Sequence, residues 1–183
     1  MKINFKSRLA FNEKMLMHIN ESRIDDGLKY SRLLNFLIKA LHYRIVYISL
    51  VVFEEIASRV MTIKIPIYSS LIYYWISNAR GLPYLSGMYI RALYYRRILK
   101  RMDSNVFIDQ GVFFAYPNGI ILQEFSYIDK RVMILCKKAS VGRRVHIAPN
   151  VFVSGGGTFA IEDYAGIATG ASIITSTATI KDG

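Results

Sequence analysis

Residues 141–153 read VGRRVHIAPNVFV and hold three apolar residues six positions apart, Val141, Ile147 and Val153. The same spacing extends in both directions, and every third apolar position returns after 19 or 20 residues. A helix needs a period of about 3.6 and a hairpin meander needs turn signals between alternating strands, so neither fits. The recurring positions are Ile108, Phe114, Leu122, Ile128, Ile134, Val141, Ile147, Val153, Ile161, Ile167 and Ile173.

The return after 19 or 20 residues predicts a three-sided coil. Each turn places one inward side chain on each of three faces, and stacked turns align these side chains into apolar ladders, such as Leu122, Val141 and Ile161. Small or β-branched residues follow the ladder positions by four, where a tight corner has room for them. These corner residues are Val112, Ser126, Val132, Val145, Val151, Ala165 and Ala171.

Charge divides the chain into two parts. Residues 1–100 hold 16 Lys and Arg against 6 Asp and Glu, whereas residues 101–183 hold 8 against 7. No nucleic-acid recognition motif accompanies the basic excess, which is interleaved with long apolar runs. We therefore expect an anionic membrane surface or glycan carrier as partner, and no nucleic acid.

Cysteine use and the first residues indicate the compartment. Cys136 is the one cysteine in the sequence, so no internal disulfide can form, which favours a reducing environment. We interpret it as an inert small residue near a corner. The first 30 residues are polar with charges throughout and do not resemble a secretory signal. We expect a cytoplasmic protein that can lie at the inner face of the membrane.

The predicted architecture is α+β, with a basic helical region over residues 1–102 and the coil over residues 103–183. Apolar residues at three- and four-residue spacing predict an amphipathic helix over residues 33–52. Two further helices are predicted over residues 66–77 and 88–102. The apolar runs at residues 45–53 and 66–77 are too short to cross a bilayer, which takes about 20 residues. Gly81, Pro83 and Gly87 break the chain before the third helix.

The third helix combines aromatic and basic residues, and two interpretations remain open. In the first, the helix covers the open end of the coil with its apolar side while its arginines stay solvated. In the second, the same helix also binds a membrane and brings the protein to a lipid-linked substrate. Its basic residues are Arg91, Arg96, Arg97, Lys100 and Arg101.

The repeat segments at residues 141–151 and 161–171 resemble the hexapeptide-repeat acyltransferases, which form a left-handed parallel β-helix. The basic stretch at residues 94–101 is similar to one that precedes the first coil in the branch that modifies sugars and polysaccharides. The resemblance covers about residues 83–183. It implies acetyl transfer from acetyl-CoA to a hydroxyl or amine in a groove between neighbouring subunits of a homotrimer. It also implies further coils, so we expect the chain to be truncated after Gly183.

Acetyl transfer needs a base that deprotonates the acceptor, and histidine suits this role near neutral pH. The sequence holds His18, His42 and His146, and only His146 lies in the repeats. We predict His146 as the catalytic base, with a solvent-facing corner residue as the alternative. Two registers of the family place the usual base elsewhere. One places it at Lys137, and there His146 matches the histidine that contacts the coenzyme; the other places it at Thr158 or, one coil later, Ala178. No register puts a histidine at the usual base position, so a catalytically incomplete chain is a further alternative. One histidine in the repeats is too few for the three-histidine zinc site of a β-helical carbonic anhydrase, and we expect no metal.

The resemblance also implies a coenzyme site. Arg143 and Arg144 beside Asn150 are suited to hold phosphates and a sugar hydroxyl. The glycines of residues 154–158 are interpreted as a bulged corner with positive φ, or alternatively as a point where a ligand approaches backbone amides. The predicted cofactor-binding residues are Arg144, Asn150, Gly155, Gly156 and Thr169.

The expected function is an acyl-CoA-dependent O-acetyltransferase, or N-acetyltransferase, acting on a sugar of a cell-surface polysaccharide or its precursor. The alternative is a non-catalytic β-helical assembly or binding module that its basic helices hold at a membrane surface.

Overall fold

The computed structural model describes residues 44–63, 66–78 and 84–176. Three α-helices come first within these ranges, α1 (Arg44–Met61), α2 (Pro66–Asn78) and α3 (Tyr84–Ile98). Short strands follow, with a 3₁₀ turn at Pro117–Gly119. The strands are β1 (Arg101–Met102), β2 (Phe107–Ile108), β3 (Phe113–Phe114), β4 (Ile120–Leu122), β5 (Tyr127–Ile128), β6 (Met133–Ile134), β7 (Lys138–Val141), β8 (His146–Ile147), β9 (Phe152–Ser154), β10 (Thr158–Ile161), β11 (Gly166–Ile167) and β12 (Ser172–Ile174).

The strands form three parallel sheets, each built from every third strand. The first sheet is β1-β4-β7-β10, the second β2-β5-β8-β11 and the third β3-β6-β9-β12. The chain therefore contributes one strand to each of the three sheets in turn, and every complete turn adds one strand to each sheet. This arrangement is a parallel β-helix of about four turns behind a helical region, which confirms the predicted fold class.

The ladder residues stack in the predicted register. Ile108, Ile128, Ile147 and Ile167 pair in succession across the second sheet. Ile128 and Ile147 have no exposed surface, because each is covered by the coil on either side. The other two ladders hold the predicted sets as well, namely Phe114, Ile134, Val153 and Ile173 in the third sheet and Leu122, Val141 and Ile161 in the first.

Two of the three corners repeat the same backbone geometry on every coil. The first corner lies between the first and second sheets, and the second corner between the second and third sheets. In each, one residue has a φ of 54° to 74°, which turns the chain sharply. These residues are Asn105, Phe125, Arg144 and Tyr164 at the first corner and Gly111, Arg131, Asn150 and Gly170 at the second.

The helices differ in part from prediction. The helix predicted over residues 33–52 continues to Met61 as α1, and its portion before residue 44 lies outside the described residues. α2 agrees with prediction. α3 begins and ends earlier than predicted, because Arg101 and Met102 pair with β4 as strand β1 instead of continuing the helix. Gly87 was predicted to break the chain, but it lies inside α3.

α3 packs against β1 and β2 of the first coil. The Tyr95 hydroxyl donates to the Val112 carbonyl over 2.9 Å, and its ring meets Phe114 edge to face. This contact agrees with the first interpretation of the helix, but the prediction that its arginines stay solvated is wrong for Arg91. Arg91 is buried between α3 and the first coil. There its Nε donates to the Ile108 carbonyl over 2.8 Å and its guanidinium lies 3.5 Å from Asp109, and these contacts compensate the burial of the charge.

The fourth coil is less covered than the third. Ile161, Ile167 and Ile173 are half-buried, whereas the partners that precede them in each ladder are fully buried. The predicted truncation after Gly183 concerns residues that lie outside the described ranges. None of the described helices combines the length and the hydropathy that a membrane span requires.

Candidate functional site

The outer face of the second sheet carries a column of rings, because residues just before the ladder positions point outward at the same register. The His146 imidazole stacks on Tyr127, with centroids 5.1 Å apart and planes 10° apart. The Tyr127 ring in turn lies 5.7 Å from Phe107. His146 is therefore held in one orientation on an exposed face, with 53% of its side chain accessible.

Asp129 is the carboxylate partner of His146. Its Oδ2 lies 3.3 Å from His146 Nε2, and its Oδ1 accepts the backbone N–H of Lys130 over 2.6 Å. The Asp129 side chain is only 14% exposed, and its hydrogen bond with the Lys130 N–H holds it at the corner that begins there. When Nε2 carries the proton and donates it to Asp129, Nδ1 is left as the basic nitrogen. The pair thus has the parts of a general base.

The coil that follows leaves the space beside His146 open. Gly166 is the register partner of His146 on β11. A Cβ added to Gly166 would contact one neighbour within 4 Å, the His146 carbonyl oxygen at 3.6 Å. The ring column therefore stops at His146, and the next position has room for part of a ligand.

The predicted cofactor-binding residues lie at three different corners of the coil. Arg144 is at the first corner, where its guanidinium lies over the Phe125 ring at 5.4 Å. Asn150 and Thr169 belong to adjacent coils of the second corner, and Asn150 Oδ1 accepts from Arg131 Nε over 2.8 Å. Gly155 and Gly156 are at the third corner. Within one subunit, only Arg144 at the first corner and Asn150 and Thr169 at the second border the face that carries His146.

The glycine segment forms a bulged corner. Gly155 has a φ of 109°, the positive value predicted for it. Thr175 of the next coil closes the loop, because its hydroxyl donates to the Ser154 carbonyl and accepts from the Gly157 N–H. A Cβ on Gly157 would clash with the Thr175 carbonyl oxygen, whereas Gly156 is open on all sides. The loop therefore packs against the next coil, and Gly156 is the point where a ligand could approach the backbone.

The positions at which the two family registers place the usual base do not lie on the sheet that carries His146. Lys137 lies at the third corner, and Thr158 begins β10 in the first sheet. Ala178, His18 and His42 lie outside the described residues. In the part of the chain that the structure describes, His146 is the one histidine.

Cys136 is fully buried, and its Sγ lies 3.3 Å from the Lys138 carbonyl. Burial raises the pKa of the Cys136 thiol, which disfavours the reactive thiolate. This environment agrees with the interpretation of Cys136 as an inert residue.

Three residues of the site escaped the sequence analysis, namely Tyr127, Asp129 and Gly166. A usable signal was present, because residues directly before and after ladder positions share the outer face of a sheet. Asp129 follows Ile128, and His146 precedes Ile147 on the neighbouring strand. Pairing outward positions across coils, in addition to inward ones, would have found both.

Among the described residues, no three His, Cys, Asp or Glu side chains come together in a group that could hold a metal ion. Comparisons of the whole chain with protein-family models, with curated proteins and with solved structures find no match.

Proposed function

We propose that the chain is an acyl-CoA-dependent acetyltransferase that acts on a hydroxyl or amine of a sugar, in a cell-surface polysaccharide or its precursor. The observation that supports this most is the Asp129–His146 pair, which lies on an exposed sheet beside the open position at Gly166. The β-helix itself supports it only as a fold on which such sites occur.

In the proposed reaction, Asp129 holds the Nε2 proton and keeps the imidazole in one tautomer and orientation. His146 Nδ1 takes the proton of the acceptor hydroxyl while the acceptor oxygen bonds to the acyl carbon. Acetyl-CoA, when bound, supplies the acyl group as a thioester whose carbon–sulfur bond breaks. The proton on His146 then passes to the departing thiolate, so the enzyme returns to its starting state.

The charged groups at the first corner suit the phosphates of the coenzyme. Arg144 lies two residues before His146 and keeps its guanidinium exposed over Phe125. Gly155 and Gly156 are at the opposite corner, so one subunit does not join them to this face. A homotrimer accounts for the separation, because a groove between subunits is lined by different corners of two chains. We propose the trimer on this ground and on the family resemblance.

The test is thiol release from acetyl-CoA by the full chain with a panel of sugar acceptors. We expect His146→Ala to lower kcat by about 10²- to 10⁴-fold, the usual contribution of a general base. Asp129→Asn should lower kcat by a smaller factor with little change in KM. The matched control is Asp103→Asn, which alters a half-buried carboxylate on the first coil, paired with Arg101 instead of His146. Equal rates in all variants would remove the pair from the mechanism.

Filling the open position gives a second test of the same site. Gly166→Leu should keep the β-helix intact, because a Cβ there makes only an ordinary contact. We expect the variant to raise KM for the acceptor or to abolish turnover. Normal kinetics in this variant would show that the substrate does not use the space beside His146.

A non-catalytic binding module is the second candidate. The observation that favours it is the ring column Phe107–Tyr127–His146, which offers a stacking surface without any chemical step. Sugar binding by the full chain that persists in His146→Ala, without acetyl-CoA turnover in either protein, would support this candidate.

A further inference from the structure

The exposed surface of α1 and α2 is apolar on the side away from the β-helix. Both helices pack on α3, with Ala57, Met61 and Ile72 turned toward the core. The Tyr68 hydroxyl of α2 donates to the Val60 carbonyl of α1 over 2.9 Å, which holds the two helices together. The large exposed apolar residues of this surface, the helical apolar face, are Ile48, Val52, Phe53, Ile56, Val60, Ile63, Ile67, Leu71 and Tyr74.

The spacing shows that this exposure has a helical pattern. Ile48, Val52, Ile56 and Val60 are each four residues apart, so they form a stripe along α1. Ile67, Leu71 and Tyr74 repeat the pattern along α2 at spacings of four and three. Side chains that are exposed singly need no explanation, but two adjoining stripes indicate a surface that binds something.

We propose that the helical apolar face inserts into the surface of an anionic lipid bilayer, with α1 and α2 lying in the plane of the membrane. Helices that bind in this way have an apolar side that enters the acyl boundary and basic residues that contact the headgroups. α1 has 18 residues and would extend about 27 Å along the surface. Phe53 and Tyr74 are the aromatic residues that favour the interface.

Charge favours a bilayer over a second copy of the chain. Residues 1–100 hold 16 basic residues against 6 acidic ones, a net charge of +10. The excess lies in the sequence around α1 and α2, because the two arginines of α1 balance its two glutamates and α2 has no charged residue. Two such regions repel each other, whereas anionic headgroups attract them. Arg59 lies on α1 beside the stripe, with 67% of its side chain exposed, and pairs with Glu55 over 2.8 Å. An exposed pair of this kind contributes about 1 kcal/mol or less, so headgroup phosphates can compete for the guanidinium while Val52 and Ile56 enter the lipid.

The proposal places this contact on α1 and α2, which belong to the N-terminal helical region from which a membrane contact was expected. The sequence pointed to the basic aromatic helix α3, but Leu93, Tyr94 and Tyr95 of that helix are buried. α3 therefore serves as the layer between the β-helix and the membrane-binding helices. The inference does not depend on the proposed enzyme activity, because no residue of the helical apolar face belongs to the site around His146.

The test is co-sedimentation of the full chain with vesicles of phosphatidylcholine alone and of phosphatidylcholine mixed with phosphatidylglycerol. We expect binding to the anionic vesicles that weakens with added salt. A triple variant, Val52→Ser with Ile56→Ser and Val60→Ser, should reduce that binding by about tenfold or more, because three inserted apolar side chains are lost. The matched control is Ile174→Ser on the β-helix, since Ile174 is 63% exposed and Ile56 is 58% exposed. It should bind as the wild type does.

Circular dichroism of each variant establishes that the helices are retained. Three results would overturn the proposal. One is the absence of wild-type binding together with a triple variant of lowered thermal stability, which would mean that the chain itself covers the face. Another is a wild-type oligomer that the triple variant dissociates, which would assign the face to a second copy. The third is equal vesicle binding by the triple variant and the wild type.

Discussion

Ile147 in the β-helix has no exposed surface, whereas Ile56 in α1 is 58% exposed, although both belong to regular apolar patterns of the same chain. In the β-helix, each coil covers the next, so the pattern is buried by its own repetition. In the helical region, one side of α1 and α2 packs on α3, and among the described residues the opposite side carries the large exposed apolar residues. An apolar periodicity therefore indicates which residues share a face, but not whether that face is covered.

The contacts that attach the helices to the β-helix and to each other differ in kind from the contacts inside the β-helix. In the interior of the β-helix, side-chain contacts between coils are apolar ladders, and the polar pairs between coils, such as Arg143–Asp163, lie on the outer surface. Between α3 and the first coil, Arg91 is buried against the Ile108 carbonyl and Asp109. Between α1 and α3, the buried carboxylate of Glu54 accepts from the Tyr89 hydroxyl over 2.6 Å and lies 3.8 Å from Arg96. Buried polar contacts thus position α1 and α3 on a β-helix whose interior is apolar.

The largest effect is expected where the two regions meet. Arg91→Ala leaves the Asp109 carboxylate buried without its cation, which costs about 3 to 5 kcal/mol for a pair of this kind. Arg97→Ala on the same helix is the control, because its contact with Glu55 is largely exposed and contributes about 1 kcal/mol or less. Denaturant unfolding measures both. Similar losses in the two variants would contradict the structural difference between these arginines.

A comparison of two isoleucines tests burial directly. Ile147→Ala removes a fully buried ladder side chain, and we expect a loss of about 2 to 5 kcal/mol in the free energy of unfolding. Ile56→Ala alters the helical apolar face and should change stability by about 0.5 kcal/mol or less in the absence of lipid. A large loss in Ile56→Ala would show that another part of the chain covers α1.

The contact between α1 and α3 should be sensitive to alkaline pH. Burial raises the pKa of Tyr89 above its ordinary value of 10.0, and the Glu54 carboxylate raises it further. Because the folded-state pKa is higher than the unfolded one, this contribution to stability is complete below pH 10.0 and declines as the pH rises above that value. Tyr89→Phe should show a shallower alkaline decline than the wild type in unfolding measured across this range. Tyr164→Phe, which alters an exposed ring, should follow the wild type.

A small effect of the opposite sign, a gain in stability, is expected at one corner of the β-helix. Ser126 is fully buried, and its hydroxyl has no hydrogen-bond partner among the described residues. Valines occupy the equivalent corner position on the neighbouring coils, at Val106 and Val145. Ser126→Ala should therefore raise the free energy of unfolding by about 1 kcal/mol, because an unsatisfied polar group is removed. A loss of stability in this variant would indicate that the hydroxyl does have a partner.

Prediction of the site was less complete than prediction of the fold. His146 was predicted as a base because the repeats contain one histidine and its chemistry suits proton transfer, and that role is a proposal. Asp129 was missed because it lies 17 residues from His146, not the 19 or 20 that relate inward positions. Arg144 and Asn150 were selected for their side chains, but both also occupy the positive-φ positions that turn the coil. The same two residues can therefore be explained by ligand binding or by the backbone geometry of the corner. The sequence alone does not distinguish these two explanations.

The sequence by itself determined the three ladders and their register. The sets that begin at Leu122, Ile128 and Ile134 each return after 19 or 20 residues, and one-dimensional repetition forces equivalent residues to stack. The tertiary structure decided what lies outside that repetition, namely the burial of Arg91, the pairing of Asp129 with His146 and the exposure of the helical apolar face. Each of these features depends on contacts between elements that are not related by the repeat. A periodic sequence pattern contains no information about such contacts.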